Sequence, residues 1–148
     1  MGVLRSSLIL AELAFRNGLD VKKSEVHGMA QRGGSVCSDV RFGVAVGSPM
    51  IPSGEVNYLI LMEEADLPLY QMDLSADATV FTASQIPLTR LATKRALNIA
   101  MLGLLSSELD FSQDAWRDVI HDYLPPKIHA ANDDAFALGR AIAQGEKQ

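Results

Sequence analysis

The sequence holds a single cysteine, Cys37, in 148 residues. One thiol forms no internal disulfide and cannot carry an iron–sulfur cluster, which takes about four thiolates. Cys37 therefore reads as a half-buried strand residue in a reducing compartment, and the expected location is the cytoplasm. Basic excess is missing too: 13 Lys and Arg stand against 18 Asp and Glu, a net charge of −5. With no run of Lys or Arg, the chain lacks the footprint of a nucleic-acid binder. No apolar run nears the roughly 18 residues of a membrane span. The apolar opening "LILAELAF" has no basic leader and is broken by Glu12, so it reads as a core helix rather than a signal peptide. There is no Walker-type loop, and no GDG…N stretch that would hold a diphosphate through a metal ion. Internal repeats, low-complexity tracts and linkers are also absent.

What is present is enough apolar material for one core. Hydrophobic residues make up 48% of the chain, and residues 1–148 read as a single domain. Leu4, Leu8, Ala11 and Phe15 fall on one helical stripe over about 4–17, and Gly18 follows as a natural helix stop. Residues 20–26 read as a strand. Residues 35–42 alternate with period two, Val36, Val40 and Phe42 against Cys37, Asp39 and Arg41. "GSPMIPSGE" is a loop by its Pro and Gly. Residues 56–62 and 78–84 read as short buried strands, with a short helix between them. A strongly apolar helix is expected over about 91–105. Ser112 can cap another, with Trp116, Val119, Ile120 and Tyr123 on one face and Pro125 and Pro126 as its stop. A last helix covers about 128–143. This order predicts an α/β fold of three layers, helices on both faces of a mixed, largely parallel sheet.

Polar chemistry concentrates in "SEVHGMAQRGGSV", residues 24–36. Gly28, Gly33 and Gly34 allow sharp turns or close approach of another group. Arg32 offers a planar fork of donors for carboxylate or phosphate. Gln31 donates and accepts, His27 titrates near neutral pH, and Glu25 and Ser35 flank them. Arg41 shares a strand face with Asp39, so those two can pair. The residues alone leave two readings open: a glycine-rich turn with solvated polar groups, or a loop facing an anion or a partner.

The wider segment "KKSEVHGMAQRGGSVCSDVRFG" resembles the signature of the gamma-type component of 2-oxoacid:ferredoxin oxidoreductases. Within that family it is most similar to the beta-subunit branch of indolepyruvate ferredoxin oxidoreductases. "GVLRSSLILAELAFRNGLDV" is similar to the family's first helix, and "SPMIPSGEVNYLILMEEAD" to its next strand block. "ALNIAMLGLL" and "PPKIHAANDDAFALGRA" resemble its C-terminal helices. Departures stand beside the match. The family opens with a strand and a glycine-rich turn, of which only Met1-Gly2-Val3 corresponds here, so the N-terminal strand is expected to be missing. The interval from Met62 to Ala96 is shorter than in the family, and Asn57 replaces an acid before the buried strand.

The resemblance implies a complex that converts a 2-oxoacid and coenzyme A to acyl-CoA and carbon dioxide. Thiamine diphosphate with magnesium, and iron–sulfur clusters that pass electrons to ferredoxin, are expected on a cysteine-rich catalytic partner. No cofactor, metal or catalytic residue is expected on this chain alone. Glu25, His27, Gly28, Gln31, Arg32, Gly33, Gly34, Ser35 and Arg41 are the expected partner- or anion-facing set. Alternatives are a free-standing domain for coenzyme A or a nucleotide, and a homo-oligomeric scaffold, most simply a dimer paired through an open sheet edge. Weaker candidates are His121 with His129, Glu63 with Glu64 and Asp133 with Asp134; all read as solvated helix ends or surfaces. Ser35 near His27 lacks the elbow of a serine nucleophile.

Overall fold

A computed structural model describes residues 2–26 and 36–145. Helix α1 (Gly2–Arg16) opens the chain and leads through Gly18, whose φ of 84° suits only glycine, into strand β1 (Asp20–Val26). Strand β2 (Cys37–Gly43) returns antiparallel beside β1. Strand β3 (Val56–Leu61) is followed by the short helix α2 (Leu67–Tyr70) and by β4 (Leu74–Thr82), which runs parallel to β3. Helices α3 (Leu97–Ser106), α4 (Gln113–Tyr123) and α5 (His129–Ala143) complete the order. The chain is α/β with mixed strand directions, as expected. Among the described residues the strands form two two-stranded pairs, one antiparallel and one parallel.

Two boundaries differ from the sequence expectation. Strand β4 begins at Leu74, earlier than the alternation suggests. Its first residues include exposed Ala76 and Asp77, and a register irregularity between Val56 and Tyr58 absorbs them. Helix α3 begins later, because Thr93 Oγ1 accepts from Arg95 N (3.3 Å) and a single 3-10 turn precedes the α-helix. Ser112 caps α4 as expected, accepting from Ala115 N at 3.0 Å.

The core centres on α3, in which every residue from Asn98 to Ser106 is buried. It touches β3, β4, α1 and α5. A helix apolar all round needs such cover on every side. The α3–α5 contact is set by two glycines. A Cβ on Gly103 would press on the carbonyl of Phe136, and one on Gly139 on the carbonyl of Ala100. The helices therefore meet backbone to backbone. Arg140 Nη1 reaches across to Ser106 O (3.3 Å) and Oγ (3.1 Å), supplying donors where α3 ends. Aromatic rings carry the packing outward. Trp116, fully buried, lies 5.5 Å from Phe136 and 6.3 Å from Phe111, and Phe111 lies 6.1 Å from Phe42 on β2. The hairpin is thus keyed into the helical core through Phe42. Arg16 ties α1 to α4, its Nη2 lying 2.7 Å from Asp122, while its Nε holds Glu12 at 2.8 Å.

Gly139→Ala tests the helix crossing. In an open helix interior this change gains about 1 kcal/mol from propensity. Here the methyl meets backbone that cannot yield, so the expected result is a loss of about 1–3 kcal/mol in urea unfolding.

Candidate functional site

The hairpin presents two faces because side chains alternate along each strand. On one face Val21 stands opposite Phe42, Lys23 opposite Val40, and Glu25 opposite Ser38. Its apolar half packs toward the helices, since α1 contacts both strands. Further along, the Lys23 ammonium pairs with the Glu25 carboxylate. On the other face Lys22 stands opposite Arg41 and Ser24 opposite Asp39.

Glu25 lies exposed at the end of the hairpin where residues 27–35 leave and return. His27, Gly28, Gln31, Arg32, Gly33, Gly34 and Ser35 lie outside the described residues. Arg41 lies toward the opposite end. Its Nη1 donates to Ser48 O (2.9 Å) and Met50 O (3.0 Å) rather than to Asp39, because the following loop folds back and offers carbonyls. Asp39 instead has Cys37 Sγ at 3.8 Å. Arg41 and Glu25 are therefore not brought together; Arg41 anchors the loop after β2.

Asp20 holds the same loop, a role its position in the sequence did not signal. Its Oδ2 accepts from Val46 N at 2.7 Å, and its Oδ1 lies 3.1 Å from Lys22 Nζ. The Val46 amide, and then Lys22, hold the Asp20 carboxyl below its ordinary range. Ser53 Oγ donates to Met72 O at 3.1 Å, which fastens the far end of the loop to the turn before β4.

The whole of this frame, residues 1–142, matches the family model described as pyruvate ferredoxin/flavodoxin oxidoreductase. The chain belongs to that family. It is 30% identical to the indolepyruvate oxidoreductase subunit IorB of Thermococcus kodakarensis, with 97% of this chain and 91% of the relative covered. That alignment runs over 183 positions against 148 residues here, so the relative carries residues that this chain lacks. It is 44% identical to IorB of Archaeoglobus fulgidus over 79 residues, 53% of this chain and 39% of that one. The crystal structure of the gamma subunit of a keto/oxoacid ferredoxin oxidoreductase from Geobacter sulfurreducens superposes with a TM-score of 0.68. It covers 97% of this chain and 92% of that one at 20% identity, a likeness of fold.

Elsewhere in this member of the family, His121 and His129 depart from the expectation of solvated helix ends. Their rings stack at 3.9 Å with 12° between planes. His121 Nε2 lies 2.7 Å from Asp133 Oδ1, and His129 Nε2 lies 2.7 Å from Leu124 O and 3.1 Å from His121 O. The two prolines between them do not separate the residues. They fold the chain so that the start of α5 closes over the end of α4. Nε2 of each ring is taken up by the chain's own oxygens, and among the described residues no group of three or more His, Cys, Asp or Glu is arranged to hold a metal. No helix among the described residues is long and apolar enough to cross a membrane.

Asp20→Ala is expected to release the Val46 amide and loosen the loop while leaving the helical core intact. Amide exchange at Val46 relative to Ile99 reads this directly. The sign with pH follows from the lowered carboxyl: its contribution is complete above the ordinary aspartate range and is lost only as pH falls through the depressed value. A carboxyl carbon titration that places Asp20 at or above the ordinary range would contradict the contact.

Proposed function

We propose that this chain is the non-catalytic subunit of a thiamine diphosphate-dependent 2-oxoacid:ferredoxin oxidoreductase. The substrate class is an aryl pyruvate such as indolepyruvate. The observation that carries the reading is the near end-to-end similarity to IorB relatives, together with a single cysteine where a cluster takes about four. In such complexes thiamine diphosphate cleaves the carbon–carbon bond, and iron–sulfur clusters take the two electrons to ferredoxin. Cys37 is one thiolate where a cluster takes about four. Those groups fit a cysteine-rich partner subunit, and this chain completes the assembly.

The hairpin is the contact element in this reading. Residues 27–35 join the two strands of a base that Phe42 locks to the core. The Arg32 guanidinium supplies a charge-assisted, two-pronged donor for a carboxylate of the partner. Glu25, paired with Lys23, sets the charge at the end of β1. Arg41 acts one step back, holding the loop from Ser48 to Met50.

The test is reconstitution with the larger, cluster-bearing subunit from the same organism. The chain alone is expected to show no indolepyruvate- and coenzyme A-dependent viologen reduction, and to raise that activity when added to the partner. Arg32→Glu is expected to weaken binding by at least about tenfold, close to 1.4 kcal/mol, and Arg32→Lys by less. A folded chain that neither binds the partner nor changes its rate would overturn the reading.

A further inference from the structure

Helix α1 ends in a chemically reactive pair. Asn17 is followed by Gly18, whereas Asn57, Asn98 and Asn132 are followed by Tyr58, Ile99 and Asp133. The side-chain carbonyl carbon of an asparagine can close a five-membered ring with the backbone nitrogen of the next residue. That attack needs a nitrogen free of hydrogen bonds and unhindered by a side chain, and glycine removes the second obstacle. Asn17 and Gly18 are both exposed, so water reaches them.

The fold supplies the first obstacle. Gly18 N donates to Phe15 O at 3.0 Å and Leu19 N to Ala14 O at 3.1 Å, the paired bonds of a helix stop built on a glycine with a φ of 84°. The Asn17 amide is held as well: its Nδ2 donates to Leu13 O at 2.8 Å, near the end of the helix. Nucleophile and leaving group are therefore both engaged while the last turn of α1 stays closed. That closure matters beyond the turn. Strand β1 starts at Asp20, two residues after Gly18, and Asp20 holds the Val46 amide. Asn17 also lines a crevice of about 200 Å³ between α1 and α4, together with Asp118 and Arg16. Arg16 already holds Glu12 and Asp122. A carboxylate at position 17 would stand at the negative end of the helix dipole, in a crevice that already has an acid, with no proton to donate to Leu13 O.

We propose that Asn17–Gly18 is a self-modification site that the closed last turn of α1 holds in check, and that its conversion unfastens α1 from the hairpin. In the reaction the Gly18 nitrogen attacks Asn17 Cγ. The new C–N bond closes a succinimide ring, the Cγ–Nδ2 bond breaks, and ammonia leaves with the proton lost by the Gly18 nitrogen. Water then opens the ring at either carbonyl, giving aspartate or isoaspartate. No group is oxidised or reduced, and water is the only co-reactant. The isoaspartate branch adds one carbon to the backbone between α1 and β1, which breaks the spacing of the two bonds at the helix stop. The site does not depend on the subunit reading.

The experiment follows the full chain at mildly alkaline pH, native and in guanidinium chloride, by peptide mass mapping. In the denatured chain Asn17 is expected to gain one mass unit ahead of Asn57, Asn98 and Asn132. In the native chain the same gain is expected to be at least about tenfold slower, because reaction waits for the last turn of α1 to open. The Asn17→Asp variant carries the aspartate product from the start. Its Leu19 and Val46 amides are expected to exchange at least about threefold faster than in the parent chain, with Ile99 unchanged. Conversion equally fast in the native and denatured chains overturns the proposal, as does conversion led by another asparagine. Exchange at Leu19 and Val46 that is identical in Asn17→Asp and the parent chain overturns the unfastening.

Discussion

The backbone-to-backbone crossing of α3 and α5 at Gly103 and Gly139 is the constraint on which the rest depends. With no side chain between them, the helices come close enough for Arg140 to reach the end of α3. Helix α3 is then fully enclosed, and its other sides define where α1 and the parallel strands can lie. Trp116 fills the space between α5 and the hairpin, and the sequence of rings Phe136, Trp116, Phe111 and Phe42 turns a helix–helix contact into a fixed position for β2. Close-packed cores transmit such placements because voids and overlaps are both costly.

A hairpin fixed at its base, its strands joined by a polar, glycine-rich segment, suits the proposed meeting with another protein. The two ends of the hairpin are managed differently. At the Asp20 end, Asp20 and Arg41 bind the following loop through backbone groups, so the chain consumes its own charge there. At the Glu25 end, Lys23 pairs with Glu25 along β1. Donors given to the chain's own carbonyls serve shape, and in the proposed reading the end at Glu25 serves recognition.

Much of this was legible in the sequence. The Ser112 cap and the Pro125-Pro126 stop each depend on local chemistry, and each stands where local chemistry puts it. The stripe read for α1 does not: Leu8 and Phe15 are exposed, and the buried face is Ser7, Ile9, Leu13 and Ala14. Strand β4 was only partly legible, because its polar opening residues pair through an irregular register that depends on β3. The stacking of His121 on His129 was not legible. Eight residues and two prolines separate them in sequence, and only the angle between α4 and α5 closes the distance. Arg41 was read with Asp39 from strand periodicity, but a long side chain at a strand end can prefer the carbonyls of a loop whose path no pattern predicts. The burial of Asn98 beside Gly2 comes from the meeting of elements almost a hundred residues apart.

The account's central claim is that the hairpin tip is the surface a cofactor-bearing companion covers, on a core that does not change. Hydrogen–deuterium exchange of this chain, alone and mixed with the larger subunit, tests it most directly. The account predicts slowed exchange in peptides spanning residues 24–37, with α3 and α5 unaltered. Protection confined to the helices, with the hairpin exchanging as fast in the mixture as alone, would contradict it.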